Sequence, residues 1–303
     1  MKTLLLLNPI SGRGVIKNHL LDIISQLSSQ GHEVTVYPTK AKGDATLYMT
    51  QAKGYDWIVV SGGDGTLNEV ITGVIQEEIK VPIGYIPTGT TNDFATGLSI
   101  SRQIPEAVSQ FVTGVICPLD VGKFQERYFT YVAAFGAFTD VAYETPQLRK
   151  NLLGRLAYVI EGILKVPTIT SYSCTITHDE GVLSGDFVFG MISNSDSVAG
   201  ITHTFGQRAQ LNDGVFEVTL VKMPQNVMDF QGILGDLLNK EVNPDYIMTF
   251  KTKHIQIDST TAVKWTLDGE DGGLTESVTI TNLHQKIQLV LPQTKKLRDS
   301  LTE

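Results

Sequence analysis

The sequence predicts an α/β N-terminal domain, a parallel sheet with helices on both faces, followed by a C-terminal β-rich, sandwich-like domain. Three observations carry that expectation. Strand and helix signals alternate through the first 120 residues. Three Gly-, Ser- and Thr-rich segments, 8–14, 61–66 and 87–92, each fall directly after a strand signal. Beyond residue 123 short strand-and-turn segments take over.

Leu4 to Leu7 reads as a buried strand, and Asn8-Pro9-Ile10-Ser11-Gly12 as the loop after it. Ile16, Leu20, Ile23, Ile24 and Leu27 recur at helical spacing, and Gly31 stops that helix. Val34 and Val36 mark a second strand ended by Pro38, and Asp44 is a good N-cap for a short helix. Trp57 to Val60 gives a third strand, and Leu67, Val70, Ile71, Val74 and Ile75 line one face of the next helix. Val81 to Ile86 is a fourth strand, followed by Pro87-Thr88-Gly89-Thr90 and another helix.

In the second half, strands are expected at 127–135, 170–177, 185–193, 214–222, 250–258, 262–268 and 277–291. Two helices accompany them. One carries Leu152, Leu153, Leu156, Val159, Ile160, Ile163 and Leu164 on an apolar face, and the other spans 225–239. The expected domains are therefore 1–123 and 124–291, with the tail 292–303 available to return to the first.

A length of 303 residues with 42% hydrophobic content suits two cores better than one. A net charge of −8 argues against a nucleic-acid partner, which would require a basic face. Cys117 and Cys174 are far apart and neither has a CxxC partner, so neither a disulfide framework nor a zinc site is expected. No HExxH or similar pair occurs among the six histidines. The apolar run after Lys2 ends at Asn8-Pro9, too short for a signal core or a transmembrane segment. The expected location is cytoplasmic.

Chemistry concentrates in Ser61-Gly62-Gly63-Asp64-Gly65-Thr66, between a strand and a helix. Glycines let backbone N–H groups approach a phosphate, the following helix N-terminus favours an anion, and Asp64 suits a hard cation through water. A tight turn without a ligand explains the same composition. Neither the P-loop pattern nor the Rossmann fingerprint is present: the third position after Gly12 and Gly14 is Lys17.

Taken together, Asn8-Pro9-Ile10-Ser11-Gly12, Gly62-Gly63-Asp64-Gly65-Thr66-Leu67-Asn68-Glu69, Pro87-Thr88-Gly89-Thr90-Thr91-Asn92-Asp93-Phe94-Ala95 and Leu267-Asp268-Gly269-Glu270 make the chain resemble the diacylglycerol kinase catalytic family. More narrowly, it resembles the soluble bacterial lipid kinases related to NAD kinases. The segments occur in the family's order and span nearly the whole chain. The resemblance implies that 1–123 is a nucleotide-binding domain and 124–291 a lipid-substrate domain.

By the same resemblance, ATP contacts Asn8, Pro9, Ile10, Ser11, Gly12, Thr39, Gly63, Asp64, Gly65, Thr66, Leu67, Asn68, Glu69 and Thr90. A bland turn after Pro38 accounts for Thr39 equally well. Asp64, Asp93 and Asp120 look like a carboxylate network around a water-coordinated Mg²⁺; taken singly, Asp93 reads as a helix cap and Asp120 as a solvated strand-end acid. Asp268-Gly269-Glu270 has hairpin-turn composition, but the family match makes Glu270 the general base, assisted by Asp268, with Asp64 beside the phosphates. Gln210, Asp213 and Val215 resemble a turn that binds a structural Mg²⁺ in soluble bacterial members; an ordinary Asp-Gly turn reads the same way.

The expected activity is transfer of the ATP γ-phosphate to a lipid hydroxyl at the membrane surface, diacylglycerol being the best match. The rivals are another lipid alcohol, a soluble acceptor such as NAD, and a non-catalytic lipid- or nucleotide-binding regulator. Arg149, Lys150, Arg155 and Lys165 flank the apolar 152–164 helix, which would then rest on the inner face of the membrane or simply pack on the sheet. Exposed strand edges in a β-rich domain leave a homodimer open.

Overall fold

The leucine run forms β1 (Lys2–Leu7), buried from Thr3 onward. It pairs in parallel with β2 (Glu33–Pro38) on one side and β3 (Trp57–Gly62) on the other. β4 (Ile83–Pro87) adds in parallel to β3, and Leu289 of a late strand pairs in parallel with Ile83. Leu4, Leu5, Leu6, Ile58, Val59, Val60 and Ile83 have no exposure at all, as near-continuous apolar parallel strands demand.

This computed structural model describes residues 1–136, 170–194, 197–198, 201–202, 210–239, 243–294 and 301. The helix expected at 152–164, with Arg149, Lys150, Arg155 and Lys165, lies outside the described residues. Two compact units result: Met1–Val121 with His284–Glu303, and Gly122–Leu283.

The helices of the first unit are α1 (Leu20–Ser29), α2 (Asp44–Tyr48), α3 (Asp64–Gln76), α4 (Asp93–Gly97) and α5 (Ile104–Thr113). The apolar stripe of α3 buries Leu67, Val70, Ile71 and Val74. Ile16, expected at the head of the first helix, instead belongs to a separate 3₁₀ segment, Ser11–Asn18. Gly12, Arg13 and Gly14 have φ of 53°, 65° and 74°, left-handed values that an α-helix does not accommodate, and the α-helix begins at Leu20. Between the units the chain forms β5 (Val115–Phe124).

The second unit is β-rich. Its described strands are β6 (Arg127–Phe129), β7 (Val132–Gly136), β8 (Tyr172–His178), β9 (Gly181–Ser193), β10 (Ser197–Val198), β11 (Ile201–Thr202), β12 (Phe216–Lys222), β13 (Ile247–Thr252), β14 (His254–Leu267) and the first part of β15 (Glu270–Leu291), and among the described residues they are joined by the helix α6 (Val227–Asn239). Pairing runs β13-β12-β9-β7-β14-β15, antiparallel at each step. β8 also bonds to both β9 and β14, so β7 and β8 lie end to end in one slot. Phe124, Phe129, Phe135, Phe187, Phe216 and Trp265 fill the core.

Two expectations shift. The strands read at 250–258 and 262–268 divide instead at Lys253, and the polar Ser259-Thr260-Thr261 stretch is a register irregularity inside β14. The return to the first unit begins at His284 rather than 292, because the last part of β15 already pairs beside β4. Among the described residues no helix is long and apolar enough to cross a membrane.

Candidate active site

The three polar loops of the first unit meet at the carboxyl ends of β1, β3 and β4. Asn8 anchors the first: its main-chain N–H donates to Ser61 O at 2.8 Å, its Nδ2 donates to Thr66 Oγ1 at 3.2 Å, and its Oδ1 accepts the Ile10 N–H at 3.1 Å. The third loop joins the second through Thr88 N–H, which donates to Gly62 O at 2.8 Å. Glycine is required at two of these approaches. A Cβ on Gly12 would lie 1.9 Å from Thr88 O, and one on Gly89 would lie 2.5 Å from the Gly63 Cα. Main-chain groups from three sequence-distant loops are therefore presented together, beside the N-terminus of α3.

Among the residues matched to ATP contacts, Pro9, Ser11, Gly63, Gly65 and Asn68 are half-buried, and Ile10 and Thr90 are exposed. Thr39 donates its N–H to Leu7 O at 2.8 Å, which keeps it beside the end of β1. Leu67 faces the core, so only its main chain is available to a ligand. Glu69 is engaged elsewhere: Oε1 accepts the Gly43 N–H at 2.8 Å and Oε2 the Ala45 N–H at 3.3 Å. It closes the first turn of α2, satisfying amides that no local side chain caps.

The three expected metal-network acids do not form a ready cage. Asp64 Oδ2 accepts the Asp93 N–H at 3.0 Å. Asp120 is buried within β5, where Oδ1 accepts the Gln285 N–H at 2.7 Å and lies 3.3 Å from His284 Nδ1. It is not the solvated strand-end acid that its sequence context allows. Among the described residues no three His, Cys, Asp or Glu side chains are grouped to hold a metal ion.

In the second unit, Asp268 and Gly269 form a two-residue hairpin turn with φ of 49° and 80°, and Glu270 pairs back across it with Leu267. The Asp268 carboxylate turns inward. Oδ2 accepts from Thr130 N–H (2.6 Å) and Thr130 Oγ1 (2.8 Å), and Oδ1 from the N–H groups of Tyr131 (3.0 Å) and Val132 (3.1 Å). Burial pushes its pKa up, and the three amides and the hydroxyl oppose that shift. Asp268 is thus a clamp on the entry to β7, while Glu270 is exposed at the start of β15.

Around Gln210, Asp213 and Val215, the Val215 N–H donates to Asp213 Oδ1 at 3.2 Å, and Lys251 Nζ lies 3.2 Å from Asp213 Oδ2 and 3.0 Å from Glu217 Oε1. The Lys251 ammonium therefore lies beside the Asp213 carboxylate.

A family model described as the diacylglycerol kinase catalytic domain matches residues 2–124. A diacylglycerol kinase of Bacillus subtilis (strain 168) is 32% identical over 292 residues, covering 95% of each chain. One from Staphylococcus haemolyticus is 33% identical over 289 residues, covering 94% of this chain and 87% of the relative. The chain belongs to the diacylglycerol kinase family. A crystal structure of a candidate diacylglycerol kinase from Bacillus anthracis is similar at a TM-score of 0.79 and 27% identity, over 96% of this chain and 97% of that one. Membership of this lipid-kinase family implies ATP as the phosphoryl donor.

Sequence reasoning about this diacylglycerol kinase homologue overlooked Tyr85. Its buried hydroxyl lies 3.3 Å from Gly62 O and 3.4 Å from Asn92 Oδ1, linking the second and third loops. Burial, and then the Asp64 carboxylate, push this phenol well above its ordinary pKa, so it stays a donor. The available signal was a lone polar side chain inside the fully buried Ile83–Pro87 strand. Glu217 and Lys251 were overlooked as well. They are direct cross-strand partners, which no local pattern reveals.

Proposed function

We propose that the protein transfers the γ-phosphate of ATP to the free hydroxyl of diacylglycerol, giving phosphatidate at a membrane surface. The observation that carries this reading is the convergence of the three polar loops, with Gly12 against Thr88 O and Gly63 against Gly89. It is supported by relatives of near-equal length that are named diacylglycerol kinases.

In this reading the amides of the Asn8–Gly12 and Gly63–Thr66 loops hold the phosphates, with Thr39, Asn68 and Thr90 as further nucleotide contacts. Glu69 serves them indirectly, through α2. Asp64, Asp93 and Asp120 would act on a Mg²⁺ through its bound water, since oxygen donors suit this hard ion and no closed cage forms among the described residues. When bound, that ion supplies charge neutralisation for the transferring phosphoryl group. Glu270 accepts the proton of the attacking hydroxyl, and Asp268 fixes the turn that carries it.

Purified protein given labelled ATP, Mg²⁺ and dispersed diacylglycerol should yield labelled phosphatidate. The same assay with other lipid alcohols and with NAD defines the acceptor. Label appearing only in NAD would move the protein to the soluble-acceptor class, and ATP binding without any transfer would make it a regulator.

A further inference from the structure

The turn that resembles a structural Mg²⁺ site does not fit that ion in this chain. Both carboxylate oxygens of Asp213 already have donors: Oδ1 takes the Val215 N–H and Oδ2 faces the Lys251 ammonium at 3.2 Å. The same ammonium lies 3.0 Å from Glu217, whose side chain is only 12% exposed. We propose that Lys251 is a built-in replacement for a divalent cation, its ammonium bridging Asp213 and Glu217 so that this turn is closed without metal.

Strand pairing explains why the lysine arrives there. Glu217 of β12 and Lys251 of β13 are direct partners in the antiparallel register, so both side chains leave the sheet on one face. Asp213 stands four residues ahead of Glu217, beyond the Gly214 turn with φ of 83°, within reach of the same ammonium. A divalent ion on Asp213 would sit against this ammonium. Its entry would have to expel the lysine, leaving Glu217 buried without its counter-charge, which is costly. One lysine thus does for two carboxylates what a metal with carbonyl ligands would do for one.

Thermal unfolding of the full-length, nucleotide-free protein, in EDTA and in millimolar Mg²⁺, tests this for wild type, Asp213→Asn, Lys251→Met and the double variant. The wild type should shift no more with Mg²⁺ than Asp213→Asn does. Lys251→Met should melt several degrees lower in EDTA and regain much of that loss in Mg²⁺, and the double variant should regain none. A Mg²⁺-dependent rise in the wild type that Asp213→Asn abolishes would overturn the proposal. So would a Lys251→Met protein as indifferent to Mg²⁺ as the wild type, whatever its Tm. Should Lys251→Met fail to fold, the wild-type and Asp213→Asn pair decides alone. These readings concern unfolding rather than turnover, so they stand apart from the identity of the acceptor.

Discussion

Asp64 accepts the main-chain N–H of Asp93 at 3.0 Å, so two acids expected to share a metal shell are joined first through one carboxylate and one amide. The link needs the Asp64 side chain and only the backbone of Asp93. Asp64→Ala should therefore lower Tm by several degrees, since it strands a half-buried donor. Asp93→Asn keeps this bond, because its donor is main chain. Turnover should fall at least about 100-fold in both, if both serve phosphoryl transfer. Calorimetry checks this, and an unchanged Tm in Asp64→Ala would contradict the linkage.

Gly12→Ala should destabilise by about 2–4 kcal/mol, combining a left-handed backbone with a methyl driven into Thr88 O. Gly31→Ala is the control. Its φ of 85° is similarly adverse, but nothing lies within 4 Å of the added carbon. A denaturant titration should therefore show a much smaller loss for Gly31→Ala, and ATP affinity should weaken only in Gly12→Ala. Equal losses in the two variants would mean that the loops yield.

Asp268 and Glu270 should separate cleanly. Asp268→Ala leaves three amides and a hydroxyl without their acceptor, a loss of about 3 kcal/mol or more. Glu270→Gln, at an exposed position, should leave Tm nearly unchanged while turnover falls at least about 100-fold and ATP binding persists. Near-normal turnover in Glu270→Gln would remove Glu270 from the base role.

Asp179 gives a pH dependence with a defined sign. The Lys253 N–H, at 2.6 Å, holds its carboxyl below the usual range, aided by the Thr252 hydroxyl. The folded state therefore binds this proton less readily than the unfolded chain. Its contribution is present above the unfolded value of 3.8 and fades as pH falls through the lower folded value. The Tm difference between wild type and Asp179→Asn should be largest near neutral pH and shrink below about pH 4. A gap that widens on acidification would reverse the assignment.

Local chemistry made much of this legible. The buried run Leu4–Leu7 and the Asp268-Gly269 turn follow from apolar continuity and from residues that tolerate positive φ. What stayed hidden depends on partners remote in sequence. Glu69 reads as a ligand of the phosphate loop, yet its carboxylate caps a helix that starts 25 residues earlier, at Asp44. Asp120, taken singly, reads as a solvated strand-end acid, but it is buried and accepts the N–H of the returning Gln285. The break at Lys253 is similarly hidden, since Asp179 of a distant hairpin holds the bend there. Spacing reveals a segment's own preference and not which distant group completes it.

The shared slot of β7 and β8 has a consequence for how the ladder is held. Gly136 stands opposite Phe189 and Tyr172 opposite Phe187, so the chain departs and re-enters two positions apart on the same neighbour, about 7 Å along it. Gly136, with φ of 89°, makes the exit where a side chain would strike Val188 O. Two stretches of chain thus share one place in the ladder, and each is held there by its own pairs with β9 and β14, so the rungs beside Asp268 do not depend on those beside Tyr172.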